Sequence, residues 1–204
     1  MPNGETYKKA LRAMQTKDDS ITLLIGPPGC GKTRSAIEAA MNKGMQIAVF
    51  RPPVSFGKGM GFLPGELEHK IDPWIKNIKN ILIDLDRMPE VLIKDGTLTF
   101  PSFEHAQGDT WHNTFIIIDE CENMTLKELY VLMTRIGRKS RMALCGDFAQ
   151  VSETQRNSGL PRLTAMMSKS KLKTMSVVDF TGAKCYRSQL CGDVTDMFKD
   201  GGEL

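Results

Sequence analysis

The chain has 204 residues, of which 41% are hydrophobic and 25% are charged, the proportions of an ordinary globular domain. Its formal net charge is only +3, from 27 basic and 24 acidic residues, so overall charge does not indicate nucleic-acid binding and any such site must be a local patch. No apolar run is long enough to span a bilayer, and the N-terminus lacks a signal-peptide pattern. We therefore expect one cytoplasmic domain, residues 1–204, without membrane contact. The five cysteines form no CxxC pair and indicate reduced thiols.

Short apolar runs alternate with amphipathic stretches, which predicts strands and helices in turn. Strands are expected at residues 21–25, 45–50, 115–118, 142–145 and 176–180. Helices are expected at residues 5–16, 33–42, 71–87 and 126–136, and after residue 193. A glycine-rich loop is expected over 54–65 and a hairpin over 91–100, divided by Asp95-Gly96. The alternation predicts an α/β fold with a mainly parallel sheet flanked by helices.

The first candidate site is GPPGCGKT, which lies between a predicted strand and a predicted helix. Its spacing matches G-x4-G-K-[ST], a loop whose backbone N–H groups and following helix bind phosphates. Lys32 is expected to reach the β and γ oxygens, and Thr33 to offer its hydroxyl to Mg²⁺. A chance glycine-rich turn is the alternative, but the flanking strand and helix favour a nucleotide site. The nucleotide-binding residues predicted here are Gly26, Pro27, Pro28, Gly29, Cys30, Gly31, Lys32, Thr33 and Arg34. We also hypothesise that oxidation of Cys30 would block nucleotide access.

Two further segments end apolar strands in polar side chains. FIIIDE supplies Asp119, expected in the Mg²⁺ shell, and Glu120, placed to orient or deprotonate the attacking water. GDFAQ is expected to bring Asp147 and Gln150 near the γ-phosphate. The alternatives are exposed acids at a strand end and, for Asp147, an N-cap of a following helix. Two adjacent acids favour hydrolysis over simple nucleotide holding.

The ordered motifs resemble the PhoH family of phosphate-starvation-inducible ATPases, including compact phage-encoded versions; they are GPPGCGKT, RPP, GFLPG, FIIIDECEN, LMTRIG, GDFAQ and SGLPRL. The similarity runs from about residue 5 to 198. The resemblance implies a P-loop NTPase with a RecA-like core, related to superfamily 1 helicase motor domains. It also implies ATP and Mg²⁺ as cofactors, and a location in the cytoplasm of a bacterium or of a phage-infected host. It assigns functional roles to Lys32, Thr33, Asp119, Glu120, Gln150, Arg135 and Arg187. The family commonly has DEAQN where this chain reads DECEN, so Glu122 replaces a glutamine.

Arg135 lies near the end of the predicted helix 126–136. Thr125 and Glu128 form a capping-box pattern at its start, and Gly137 is expected at its C-terminal cap. Arg135 is expected to point away from an apolar core stripe, which consists of Leu126, Leu129, Tyr130, Met133 and Ile136. One interpretation is a cation that stabilises the helix end through the helix dipole.

The other interpretation is a catalytic arginine. Helicase motors of this general kind have two motor domains, the second of which supplies an arginine to the γ-phosphate, and this chain has room for one. Because an arginine finger raises the hydrolysis rate by about 10³–10⁵, we expect a neighbouring subunit to supply it. The candidates are Arg135 and, alternatively, Arg187, acting in a head-to-tail ring such as a hexamer.

The function expected is an ATP-hydrolysing, ring-forming motor or remodeller that acts on RNA or single-stranded DNA, as a helicase does. One candidate for contact with the polymer is Lys58 with Phe56 and Phe62, for which core packing of the phenylalanines is the alternative. The other is the basic run 168–173, for which a solvated surface is the alternative. A nucleotide-gated binding or assembly module with little turnover is the second hypothesis. A guanosine triphosphatase switch is the third, because TKDD, residues 16–19, matches the guanine-reading pattern [NT]KxD. However, this segment precedes the phosphate loop instead of following it.

Overall fold

The structure is a computed structural model that describes residues 4–52, 66–102, 108–151 and 157–201. The predicted loop with Phe56, Lys58 and Phe62 lies outside these ranges. Within them, no helix combines the length and the apolar character needed to cross a membrane.

The described strands form one parallel sheet of six, in the order β3-β2-β4-β5-β1-β6. They are β1 (Ser20–Ile25), β2 (Gln46–Phe50), β3 (Leu98–Thr99), β4 (Thr114–Ile118), β5 (Arg141–Gly146) and β6 (Met175–Asp179). The central strands β1, β4 and β5 are buried along their whole length, as expected for parallel strands that are covered on both faces.

Helices cover both faces of the sheet. The helices of the described residues are α1 (Glu5–Gln15), α2 (Lys32–Lys43), α3 (Glu66–Ile83), α4 (Pro89–Lys94), α5 (Leu126–Met133), α6 (Leu160–Lys169) and α7 (Gln189–Asp200). Residues of α1, α2 and α3 pack with Phe115 and Ile117 on one face, whereas α5 and α6 pack with Ile116 and Ile118 on the other. The two-residue alternation along β4 therefore divides the core into two layers. This arrangement confirms the predicted α/β fold with a parallel sheet flanked by helices.

The hairpin predicted over residues 91–100 is wrong. The segment instead contains α4, a turn at Gly96 with φ 77°, and the short strand β3, which pairs in parallel with β2. The Gly96 N–H donates to Ile93 O at 3.2 Å, and Asp95 Oδ1 accepts the Thr97 N–H at 2.9 Å. Asp-Gly is as suited to ending a helix as to turning a hairpin, and here it ends α4.

The predicted helix 126–136 is correct at its start and wrong at its end. Thr125 and Glu128 form the expected capping box, but α5 ends at Met133. Gly137 is not its cap, because the Gly137 N–H donates to Trp111 O at 2.7 Å and pairs the chain with the segment before β4. Tyr130, predicted in the core stripe, is 67% exposed.

The order of the central strands positions the site. The strand β5 lies between β1 and β4, so the carboxyl ends of β1 and β4 are about 10 Å apart, two strand spacings, with the end of β5 between them. Segments that follow these three strands therefore meet at one edge of the sheet. The phosphate loop, the DE pair and GDFAQ are those segments.

Gly159 tests the contact between α5 and α6. A Cβ at this position would lie 2.3 Å from Leu126 N and 2.7 Å from Thr125 C, both backbone atoms that cannot rotate away. We expect Gly159→Ala to lower the free energy of unfolding by about 1–3 kcal/mol, measured by urea denaturation. The control is Gly108→Ala, where a Cβ would meet nothing within 4 Å. Equal stability of the two variants would contradict the packing.

Candidate nucleotide-binding site

The phosphate loop curls because three of its glycines adopt backbone angles that other residues avoid. Gly26, Gly29 and Gly31 have φ of 145°, 74° and 94°. The loop leads directly into α2, which begins at Lys32. A curled glycine loop at a helix N-terminus presents backbone N–H groups to an anion, so the local geometry fits a phosphate.

Gly29 is also the place where the C-terminal part of the chain contacts the loop. A Cβ on Gly29 would lie 2.7 Å from Cys185 Sγ and 3.2 Å from Arg187 Cβ. The Tyr186 N–H donates to Gly29 O at 2.8 Å. This contact delivers Tyr186 and Arg187 to the cleft beside the loop.

The Lys32 ammonium lies across its own loop. Its Nζ donates to Gly26 O at 2.6 Å and to Pro27 O at 2.8 Å. These two bonds hold the curl closed and keep a cation within the phosphate loop. Phosphate oxygens would be the charged acceptors for the same ammonium.

Asp119 joins the end of β4 to the phosphate loop. The Thr33 hydroxyl donates to Asp119 Oδ1 at 2.7 Å, and the Trp74 indole N–H donates to Asp119 Oδ2 at 3.3 Å. A hydroxyl and a buried carboxylate in contact are oxygen donors of the kind that Mg²⁺ prefers. Thr33 and Asp119, the predicted metal ligands, therefore fit that ion.

Glu120 follows in a left-handed backbone conformation, with φ of 55°. Its carboxylate faces Arg51, whose Nε donates to Oε2 at 2.9 Å and whose second terminal nitrogen donates to Oε1. The sequence motifs assigned no role to Arg51. The signal for it was its place directly after β2, which neighbours β4 in the sheet.

Asp147 is the N-cap that one interpretation of the sequence expected, and it also lines the cleft. Its Oδ1 accepts the Ala149 N–H at 3.0 Å and caps the short helix 148–150, while its Oδ2 accepts a hydrogen bond from the Gln150 amide at 3.0 Å. Capping and a place beside the phosphates are compatible because the cap faces the cleft. Glu122 Oε2 accepts the Asp147 N–H at 3.2 Å and ties the end of β4 to that of β5.

A cleft of about 700 Å³ runs along this edge of the sheet. The predicted site residues that line it are Pro28, Gly29, Gly31, Lys32, Thr33, Arg34, Asp119, Glu120, Asp147, Gln150 and Arg187. Residues that sequence reasoning missed also line it, namely Asn77, Ile81, Asp84, Glu122, Cys145, Gly146 and Tyr186. Asn77 and Ile81 lie on one face of α3 and Asp84 directly follows the helix, at the helical spacing that could have revealed all three. Arg34 bonds to Asp84 at 2.8 Å and so joins α2 to that face.

The remaining predicted residues do not line the cleft. Gly26 and Pro27 contribute carbonyl groups to Lys32, as above, and Cys30 is buried at 1% exposure. Burial raises the pKa of the Cys30 thiol, which disfavours the thiolate that oxidation requires. The Cys30 oxidation hypothesis therefore has no support from its surroundings.

Arg135 lies at the opposite edge of the sheet. Arg135 lies in the turn after α5, and its backbone carbonyl accepts the Trp111 N–H at 2.9 Å. Trp111 precedes β4. In the described part of the chain, Arg135 Nε is buried and has no hydrogen-bond partner. Because the strands separate this edge from the cleft, Arg135 could contact a phosphate only in a second copy of the chain, whereas Arg187 lines the cleft of its own chain.

Comparisons with known proteins found relatives that cover most of the chain. A profile described as PhoH-like protein matches residues 1–199. A PhoH-like protein of Synechocystis sp. is 31% identical over 191 residues, which cover 89% of this chain and 55% of that protein. Protein PhoH of Escherichia coli is 27% identical over 205 residues, 94% of this chain and 56% of that protein. The chain thus spans about half the length of these relatives. Among solved structures, the RadB recombinase matches with a TM-score of 0.41 and 16% identity, over 72% of each chain.

Glu122 provides a pH test of the site. Burial, the main cause, raises the pKa of this carboxyl from 4.5 to about 7. A carboxyl that holds its proton more tightly when folded stabilises the fold at low pH, and this contribution is lost as the pH rises from about 4.5 to about 7. Glu122→Gln stays neutral and keeps an acceptor for the Asp147 N–H. We expect its free energy of unfolding, relative to the parent, to rise by up to about 3 kcal/mol between pH 5 and pH 8.

The measurement is urea denaturation across that pH range. Glu90→Gln, at an exposed carboxylate that pairs with Lys79, is the matched control. A stability difference between Glu122→Gln and the parent that stays constant with pH would contradict the assignment.

Proposed function

Because the chain belongs to the family of PhoH-like proteins, we propose that it binds ATP with Mg²⁺ and hydrolyses it in the cleft beside the phosphate loop. The observation that most supports this is the Thr33–Asp119 hydrogen bond of 2.7 Å, which joins two motifs 86 residues apart. A phosphate-binding loop and a metal-binding carboxylate in contact are what a metal–triphosphate complex requires.

Five side chains of the cleft have distinct roles in the proposal. Loop N–H groups and Lys32 bind the β- and γ-phosphates, and Thr33 and Asp119 hold Mg²⁺, which neutralises charge on the transferred phosphoryl group. Glu120 accepts the proton of the attacking water. Arg187 supplies positive charge beside the phosphates from within its own chain.

The geometry does not support the guanosine triphosphatase alternative. The TKDD segment directly precedes β1 and lies at the amino edge of the sheet, opposite the cleft. Its side chains are engaged there: Lys17 donates to Lys173 O at 3.1 Å, and Asp18 pairs with Arg141. These side chains anchor the chain before β1 and do not face the cleft.

Hydrolysis is tested with Glu120→Gln and Lys32→Ala. Loss of a general base typically costs about 10²–10⁴ in rate, so Glu120→Gln should lose most turnover and still bind ATP. Lys32→Ala should lose ATP binding itself, because it removes the cation of the loop. Turnover is measured by phosphate release and binding by calorimetry, with Arg12→Ala, in an exposed ion pair with Glu5, as the control.

Full turnover in Glu120→Gln would contradict the assignment of the base. ATP binding without turnover in the parent chain would instead support the nucleotide-gated binding or assembly module with little turnover.

A ring-forming motor that acts on RNA or single-stranded DNA is the finer form of the proposal. The support for a ring is the position of Arg135, a partly buried arginine that faces away from its own cleft and has an unsatisfied Nε. An unsatisfied buried donor costs about 1–3 kcal/mol, which a neighbouring subunit could relieve by supplying an acceptor.

The ring is tested by mixing two inactive variants. If Arg135 acts on the neighbouring subunit, mixtures of Arg135→Ala and Glu120→Gln should regain ATP turnover, because some interfaces then combine an intact arginine with an intact base. The solution mass should correspond to a multimer, and RNA or single-stranded DNA should raise the rate. A monomeric mass, or mixtures as inactive as each variant alone, would exclude catalysis by Arg135 between subunits.

A further inference from the structure

The Arg51–Glu120 pair has a specific geometry. Nε of Arg51 donates to Oε2 of Glu120 at 2.9 Å, and a terminal guanidinium nitrogen donates to Oε1. One planar guanidinium thus occupies both oxygens of one carboxylate. Such two-point pairs are the most directional of the charge-assisted hydrogen bonds.

The backbone of the sheet places these two residues together. Arg51 directly follows β2, and Glu120 follows Asp119 after the neighbouring strand β4, with Phe50 paired to Ile118 in register. The Asp119 N–H donates to Phe50 O at 2.9 Å and extends the pairing to the edge of the sheet. The ion pair is therefore a product of strand register and not of a chance surface encounter.

The pair has a chemical consequence for a base. A carboxylate that removes a proton from water needs an oxygen within hydrogen-bond reach of that water. Both oxygens of Glu120 accept from Arg51, so the two-point contact fixes the direction in which the remaining lone pair of each oxygen points, and a guanidinium cannot itself take up the proton. Glu120 lines the cleft, whereas Arg51 is not among the described residues that line it.

We propose that Arg51 is a positioning residue that restrains Glu120, so that hydrolysis proceeds at full rate only when the guanidinium releases at least one carboxylate oxygen. The inference rests on the proposed ATPase function. It differs from that proposal in assigning control of the hydrolysis rate to a residue that does not line the cleft.

The test compares Arg51→Ala and Arg51→Lys with the parent chain. Arg51→Ala frees both oxygens and should raise kcat about threefold or more with KM unchanged, because Arg51 does not contact the nucleotide cleft. Arg51→Lys should give a smaller increase, since one ammonium lacks the planar fork that engages both oxygens. Steady-state phosphate release at saturating ATP and Mg²⁺ provides both constants.

Two controls make the result specific. The double variant Arg51→Ala with Glu120→Gln should be as inactive as Glu120→Gln alone, which shows that the gain passes through the carboxylate. Arg12→Ala reports the effect of removing an exposed arginine elsewhere. Thermal melting of each protein confirms that a rate change does not arise from unfolding, and Arg51→Lys remains informative if Arg51→Ala does not fold.

The possible failures separate the two proposals. If the parent hydrolyses ATP, Glu120→Gln does not, and the folded Arg51 variants have equal or lower kcat, the restraint is overturned and the ATPase proposal stands. If the parent and the Arg51 variants all lack turnover, both proposals are overturned. Turnover in Arg51→Ala together with little in the parent would support both.

Discussion

The site depends on the position of β5 between β1 and β4 in a parallel sheet. Because parallel strands end at the same edge, the phosphate loop, Asp119 and Asp147 come from three strands and still line one cleft. The intervening strand separates the loop from the acids of β4 by two strand spacings. Phosphates and a metal ion can occupy that width, and the Thr33–Asp119 hydrogen bond crosses it.

The acids of the cleft are compensated individually and not by one shared cation. Asp119 accepts from a hydroxyl and an indole, Glu120 from a guanidinium, and Asp147 from an amide and a backbone N–H. Glu122, which has a backbone donor, is the acid whose pKa burial raises to about 7. Lys32 bonds to loop carbonyls instead of to these acids, so its charge stays at the phosphate loop.

Local patterns predicted much of this architecture. Apolar runs of four or five residues marked the central strands, and the spacing of GPPGCGKT marked the loop, because both depend on neighbouring residues alone. Prediction failed where a distant contact decides the outcome. Asp95-Gly96 ends a helix because the following residues pair with β2, and α5 stops early because Gly137 pairs with Trp111. Asn77 and Asp84 were missed because the sequence pattern of a helix indicates which residues are buried or exposed, but not which other part of the chain they face.

The sequence by itself determined the candidate chemistry of this protein: a phosphate-loop pattern, a candidate metal-binding acid and a candidate base, each recognisable from adjacent residues. Only the tertiary structure decided which charges meet. It placed Arg187 beside the loop and Arg135 at the far edge of the sheet, although the sequence offered both as candidates. It also joined Arg51 to Glu120, 69 residues further along the chain. Strand order and register set these distances, and neither is encoded in any single segment.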